Sequence, residues 1–389
     1  MKILHTSDWH LGHQLYGYDR EDEFKDFLSQ LRAIITKHRP DVLVVAGDIF
    51  HVPQPSMAAQ KLMSGAFVEI AKDNPDMHTV IIAGNHDSAA RHEINNELWD
   101  VVNVHVVGQL NRGDDAYAKH VIEIKDKGYV VAVPYWSRAN DALELTRRLV
   151  QQVGEVNVAG LPVVVTTHAT VSGCDYKGHE DGQELCVGGV DAVPLDDWGT
   201  GFDYLALGHI HLPQDLRMTS GAARYSGSPL PVSFDEYYPH SVTLVDIEGH
   251  GKQPVVEQRG IRPLRRVTSL GDFKSWQEVL EMFKELDPAN TDYIRLNIQY
   301  DSSVPMDLDA RARQIAEGKA CRYCLTNMRR AESRRQDGMR SMTINEIREM
   351  SPIALIEDYF KSCDTELTDN LKSLLGEVLK AVDEDKRNR

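Results

Sequence analysis

The sequence predicts an α/β fold in which two β-sheets face each other with helices outside, and three observations carry that prediction. Short apolar runs alternate with stretches of helical spacing through the first half of the chain. Polar residues able to bind metal follow the last apolar residue of several of those runs. After residue 225 the pattern becomes more β-like, with short alternating segments replacing the helical ones.

Taken in order, 2–6 reads as a strand that ends just before Asp8. The stretch 22–37 places Phe24, Phe27, Leu28, Leu31, Ile34 and Ile35 on one helical face. Arg39-Pro40 ends it, because proline disfavours helical geometry in the residue before it. Segments 41–46 and 79–83 are continuous apolar runs, as expected of strands covered on both faces, with a helix over 56–72 between them. Segments 163–167 and 204–207 repeat the strand pattern, and 119–133 reads as a hairpin turning at Asp126-Lys127-Gly128. Segments 241–247, 254–258 and 264–267 add further strands, so a two-sheet domain is expected over 1–268.

From Leu270 the character changes. A helix over 276–286, a strand over 293–299 and a helix over 308–316 describe a small α+β domain at 269–350. Within it Lys319, Arg322, Arg329, Arg330, Arg334, Arg335 and Arg340 make a locally basic run. Two readings stand side by side: a solvated segment, or a strip that contacts phosphate or a partner. Ser351-Pro352 opens a last helical region, 351–389, since proline is favourable in a first helical turn. There Leu367, Leu371, Leu374, Leu375, Val378 and Val382 recur at helical spacing, a stripe able to dock on a partner or on the protein's own core.

The 389 residues suggest about two to three domains, and a hydrophobic content of 42% allows a full core. No apolar stretch approaches the roughly 20 residues of a membrane span. The N-terminus runs straight into the first strand and its metal motif, so a cytoplasmic protein is expected. Five cysteines, at 174, 186, 321, 324 and 363, argue against a disulfide framework. Cys321-Arg-Tyr-Cys324 has no second pair and reads as structural rather than as a zinc site. A formal charge of −16 is unusual for a protein that binds phosphates, but local charge at a metal site outweighs it.

Five segments carry the chemistry: Ser7-Asp8-Trp9-His10, Gly47-Asp48, Gly84-Asn85-His86-Asp87, Thr167-His168-Ala169 and Gly208-His209-Ile210-His211. Together they supply Asp8, His10, Asp48, Asn85, His168, His209 and His211, a ligand set for two adjacent divalent metals. Two metals held close together need a bridging carboxylate, and Asp48 is the natural one. Asp8, His10 and His211 would complete the first position, and Asn85, His168 and His209 the second. Two carboxylates facing two divalent cations leave a positive site, which suits a polyanionic substrate. Mixed imidazole and carboxylate donors favour manganese, iron or zinc over magnesium. His86 is placed to stabilise developing charge or to protonate a leaving oxygen. Asp87 is expected to cap the following helix rather than to orient that ring. The isolated histidines His5, His78, His105 and His240 read as surface or core residues.

On these residues the chain resembles the calcineurin-like metallophosphoesterases, whose signature DxH…GD…GNH[DE]…H…GHxH is matched in full. More narrowly it is similar to the double-strand-break repair nucleases within them, on HTSDWHLG at 5–12, VVAGDIF at 44–50, AGNHD at 83–87, DYLALGHIH at 203–211 and YSGSP at 225–229. The resemblance implies a calcineurin-like two-sheet sandwich flanked by helices, with an α+β cap and a helical tail. It implies a manganese-dependent DNA nuclease acting in repair, recombination and replication, as an exonuclease and as an endonuclease at hairpins. It further implies a homodimer within a heterotetramer, bound to an SMC-type coiled-coil ATPase through the tail, with the cap touching DNA. Family dimers form through helices after the second and third motifs, here Met63, Phe67 and Ile70 with Ile94 and Leu98, residues that core packing would equally explain. His51 departs from the Asp that many bacterial members carry. A histidine there is assigned to substrate positioning in other members, which makes His51 a secondary site candidate. The competing readings are a phosphomonoesterase or small-molecule phosphodiesterase on the same metal core, and a scaffold protein with a vestigial site.

Overall fold

The structure, a computed structural model, describes residues 1–177, 192–300, 304–331 and Leu371. One six-stranded sheet has the order β12 (Val255–Gly260), β11 (Ser241–Asp246), β1 (Lys2–Thr6), β2 (Val42–Ala46), β3 (His78–Ile82), β4 (Val104–Val107). The second has the order β5 (Val121–Ile124), β6 (Gly128–Val133), β7 (Val163–His168), β8 (Tyr204–Gly208), β10 (Ala222–Tyr225), β9 (Gln214–Leu216). A third sheet has the order β13 (Val267–Ser275), β14 (Tyr293–Tyr300), β15 (Arg322–Arg330). The central pairs β1–β2, β2–β3, β6–β7 and β7–β8 are parallel, so their C-terminal ends gather along one edge of each sheet.

Alternation of side chains explains why the central strands are apolar throughout. Val42, Val44 and Ala46 point between the sheets and meet Val130, Ala132, Val164 and Ala206 in a shared core. Leu43 and Val45 point the other way, against Phe27 and Leu31 of α1 (Glu21–His38) and Phe67 of α2 (Met57–Asp73). On the far side Val131, Val165 and Leu205 pack against Leu145, Leu149 and Val153 of a long helix over 139–156. The result is four layers, helix, sheet, sheet, helix. The expected two-sheet sandwich is the observed one.

The sequence-based boundaries hold closely for α1, α2 and the central strands, and they differ elsewhere, most clearly as follows. The hairpin begins only at Val121, because 116–120 is a helical turn held by buried His120, whose ring nitrogens lie 2.7 Å from Ala132 O and 2.9 Å from Asn111 N. No strand covers 264–266. The third sheet starts at Val267, and Leu264 is exposed in the segment that joins β12 to β13. The helix over 139–156 was absent from the sequence reading, although it buries a complete apolar stripe. The basic run is partly a strand: Arg322–Arg330 forms β15, with Tyr323 and Cys324 turned inward.

The third sheet carries its own core, in which Phe283 and Leu280 of the helix Trp276–Glu285 meet Ile294, Leu296 and Tyr323. Ser275 and Glu278 form a reciprocal capping box at the start of that helix. Residues 1–299 and 304–329 form one compact unit. Residues 300–303 and 330–389 form a second. Among its described residues Ala331 N–H donates to Tyr300 O and Leu371 is helical. The remaining basic residues Arg334, Arg335 and Arg340, the apolar tail apart from Leu371, and Cys186 and Cys363 lie outside the described residues. Cys174, Cys321 and Cys324 are buried free thiols, and burial pushes Cys324 up to about 12. No helix among the described residues is long and apolar enough to cross a membrane.

Candidate metal centre

The candidate ligands gather where the C-terminal ends of β1, β2 and β3 face those of β7 and β8. The turns after β1 and β2 are zipped together: Asp8 N–H donates to Gly47 O, His10 N–H to Asp48 O and Leu11 N–H to Ile49 O. Asp8, His10, Asp48 and His209 all hold left-handed backbone angles, with φ of 55°, 47°, 51° and 98°. Such angles are strained for residues with side chains and persist only where the surroundings enforce them. The motif glycines follow from crowding. A Cβ on Gly84 would stand 2.1 Å from Asp48 Oδ1, and one on Gly47 would stand 2.3 Å from His168 Nδ1.

The structure brings all seven candidates together. Asp8, His10 and His211 offer donor atoms within 4.8 Å of one another, and so do Asp8, Asp48 and His168. His10 Nε2 lies 3.1 Å from His211 Nε2. Asp48 Oδ2 lies 3.3 Å from His168 Nε2 and 4.0 Å from His10 Nε2, between the two groups. Asn85 Oδ1 lies 2.9 Å from His168 Nε2 and 3.1 Å from His209 Nδ1. Asp8 accepts from the His209 backbone N–H, which ties the first motif to the last.

These groups are buried, with Asp8, His10, Asp48, His168 and His211 each at most 2% exposed. Burial pushes the Asp8 carboxyl up against the pull of His168 and His211. Burial also holds His10 well below the usual histidine range, reinforced by His211 and His86. Two buried carboxylates, an amide oxygen and four imidazoles gathered in one place fit a pair of divalent metal ions. The outward ring nitrogens are already engaged: His168 Nδ1 lies 2.8 Å from Ala46 O and His211 Nδ1 lies 2.8 Å from Glu236 Oε1. That arrangement turns each Nε2 toward the centre.

His86 stands beside the cluster, its ring 5.0 Å from that of His10 and stacked at 5.6 Å on that of His51. Its backbone N–H donates to Asp48 Oδ1, and its Nδ1 lies 2.9 Å from the carbonyl oxygen of His51. His51 thus touches the site through both its ring and its backbone. Burial and His86 lower the His51 ring to about 4.

Asp87 does not cap the helix that follows, whose N-cap is Ser88. Its carboxylate instead accepts from the backbone N–H groups of Ile49, Phe50 and Gly84 and lies 3.1 Å from His92 Nε2. It clamps the turn after β2 to the turn after β3. Sequence reasoning missed Asp87 in this role, and it missed Glu236, His13 and Arg20 entirely. His13 packs 4.5 Å from the His51 ring, and Arg20 Nη1 lies 3.1 Å from His13 Nδ1. Burial, and then the Arg20 charge, drive His13 down to about 2. Of the isolated histidines, His5 and His240 are buried, while His78 and His105 pair with each other at 3.0 Å, away from the centre.

A two-sheet sandwich that gathers two clustered ligand groups at its strand ends has the architecture of a binuclear metallohydrolase. The family model described as calcineurin-like phosphoesterase matches residues 1–213, more than half the chain. A second model, described as type 5 capsule protein repressor C-terminal domain, matches 261–363. The SbcD subunit of nuclease SbcCD from Rhodobacter capsulatus is 36% identical over 275 residues, which cover 64% of this chain and 67% of that protein. Its counterpart in Escherichia coli K12 is 27% identical over 379 residues, 90% of each chain. The Bacillus subtilis SbcD protein is 32% identical over 266 residues, 63% of this chain and 66% of that one. The chain belongs to the calcineurin-like phosphoesterases and, within them, to the SbcD family of nuclease subunits.

Proposed function

We propose that the chain is a manganese-dependent DNA nuclease that hydrolyses phosphodiester bonds as a double-strand exonuclease and as an endonuclease on single strands and hairpins. The observation that carries this reading is the gathering of the seven candidate donors at one place, with Asp48 Oδ2 3.3 Å from His168 Nε2 and 4.0 Å from His10 Nε2 and His86 alongside. When bound, two divalent ions supply Lewis acidity and neutralise the charge that builds on the phosphate. Asp8, His10 and His211 would hold one and Asn85, His168 and His209 the other, with Asp48 near donors of both sets. Asp87 keeps the turns that carry Asp48 and Asn85 in register. His86 donates its Nδ1 hydrogen to the His51 carbonyl, so Nε2 is the nitrogen that takes a second proton from solvent and, as the imidazolium, passes it to a departing oxygen. His51, stacked on His86, positions the substrate.

The partners follow from the family. Relatives named as part of SbcCD support an SMC-type coiled-coil ATPase, SbcC, as partner, with 351–389 docking on it and 269–350 capping the site against DNA. A homodimer is best formed through the surface that carries Ile94 and Leu98, which are 72% and 71% exposed. Phe67 and Ile70 belong to the protein's own core, and Met63 is half-buried against it.

Incubation with Mn²⁺ and a labelled DNA hairpin, with and without the ATPase partner, tests the assignment. Cleavage of the hairpin is expected. Turnover of a generic phosphodiester such as bis(p-nitrophenyl) phosphate with DNA never cut would instead favour a phosphomonoesterase or small-molecule phosphodiesterase on the same core.

A further inference from the structure

The motif Tyr225-Ser226-Gly227-Ser228-Pro229 begins at the last residue of β10, and the mechanism above gives it no task. Eight residues beyond Ser228 lies Glu236, 1% exposed. Its Oε1 lies 2.8 Å from His211 Nδ1 and its Oε2 accepts from Ser228 Oγ at 2.8 Å. His240 closes the arrangement, with Nδ1 at 2.8 Å from Ser228 O and Nε2 at 3.3 Å from Glu236 O.

A buried carboxylate is costly to keep unless it is paired, and a neutral side chain of similar volume would fill the same space. What the carboxylate adds is a strong acceptor aimed at one nitrogen of one ring. It holds the hydrogen of His211 on Nδ1 and so leaves the Nε2 lone pair toward His10 Nε2, 3.1 Å away. Without that acceptor His211 could place its hydrogen on Nε2 and donate to His10, a tautomer whose Nε2 cannot bind a cation. The two residues before Glu236 anchor the segment: Arg295 Nη1 lies 3.1 Å from Asp235 Oδ1, and the Arg295 guanidinium lies 5.1 Å from the Phe234 ring centre. Glu236 therefore reaches His211 from a fixed backbone.

We propose that Glu236 is a positioning residue of the metal centre, selecting the ligand tautomer of His211 and thereby setting the affinity of the Asp8–His10–His211 position. The Tyr225–Pro229 motif serves it by presenting Ser228 to the second carboxylate oxygen. This rests on the reading of His211 as a metal ligand, and the test separates the two.

The experiment titrates Mn²⁺ into EDTA-stripped full-length protein by calorimetry, with circular dichroism to check the fold. The parent is expected to take two ions. Glu236→Ala weakens one position by about 10–100-fold and leaves the other near its parental affinity, the range typical of a lost partner to a ligating histidine. Glu236→Gln keeps the volume and an accepting oxygen but not the charge, and it weakens the same position by a smaller factor, about three- to tenfold on that scale. His211→Ala loses the position altogether. If His211→Ala binds two ions as the parent does, the ligand reading itself falls. If His211→Ala loses one ion while folded Glu236→Ala keeps both at parental affinity, the positioning role is overturned. Should Glu236→Ala fail to fold, parental affinity at both positions in Glu236→Gln overturns it equally.

Discussion

His168 Nε2 sits 3.3 Å from Asp48 Oδ2, although Asp48 follows a strand of one sheet and His168 ends a strand of the other. Burial by itself would strip the ring of its proton. The Asp48 and Asp8 carboxylates reverse that and hold His168 up at about 9. The contact makes the metal centre a property of the interface between the sheets, so its integrity depends on small groups that let the turns approach.

Gly84 is such a group. Gly84→Ala would put a methyl 2.1 Å from Asp48 Oδ1 and push the shared carboxylate aside. We expect Mn²⁺ affinity to drop on the order of tenfold or more while the fold survives. Calorimetric titration decides it, and parental affinity would count against Asp48 as the bridging group.

His86 stands beside the seven candidate donors without being one of them. His86→Ala should retain two bound Mn²⁺ ions and lose roughly 10²–10⁴-fold in kcat on a DNA hairpin, the usual worth of a positioned proton donor. Cleavage at the parental rate with both ions present would remove His86 from the mechanism.

Glu23 ties α1 to the third sheet. One carboxylate oxygen receives Arg20 Nε at 2.9 Å, and the other meets Arg265, Arg322 and the Tyr293 hydroxyl. The group is fully buried, so Glu23→Gln leaves three guanidinium groups without their shared counter-charge. Removing one partner of such a network typically destabilises by about 3–5 kcal/mol. Chemical denaturation should show that loss, together with faster proteolysis in the linker at 261–266. An unchanged midpoint would mean that the network contributes little.

Acid sensitivity has a separate origin in His5. Its ring is fully buried with Nδ1 2.9 Å from the Tyr204 hydroxyl, and burial followed by the Arg224 charge lowers it from 6.5 to about 3. Because the folded value is the lower one, the unfolded chain binds the extra proton. The stability is therefore complete above pH 6.5 and is lost as pH falls from there toward 3. Between pH 6 and 5 the metal-free parent should lose up to about 1.4 kcal/mol per pH unit through this residue. His5→Gln should show a shallower fall over the same interval, and equal slopes would exclude His5 as the source.

Much of the centre was legible because ligation demands particular donor atoms, and each donor stands where an apolar run stops. Asp8, Asp48 and His168 each announce themselves locally in this way. The core strands were equally legible, since a strand covered on both faces must be apolar at every position. Arg322 was not: within a run of cations it looks like solvated surface, yet it lies against Glu23 of another segment. Asp87 misled for a similar reason. A carboxylate before a helix resembles a cap until the backbone amides of Ile49 and Phe50 are seen to converge on it.

The sequence by itself determined the two-sheet class and which side chains stand as candidate donors at its strand ends, because those follow from residue type and from position relative to each strand end. Only the tertiary structure decided which residues orient the donors and which hold the third sheet. Glu236 and Glu23 act through partners far away along the chain, and a hydrogen bond made across folded segments leaves no periodic mark on either of them.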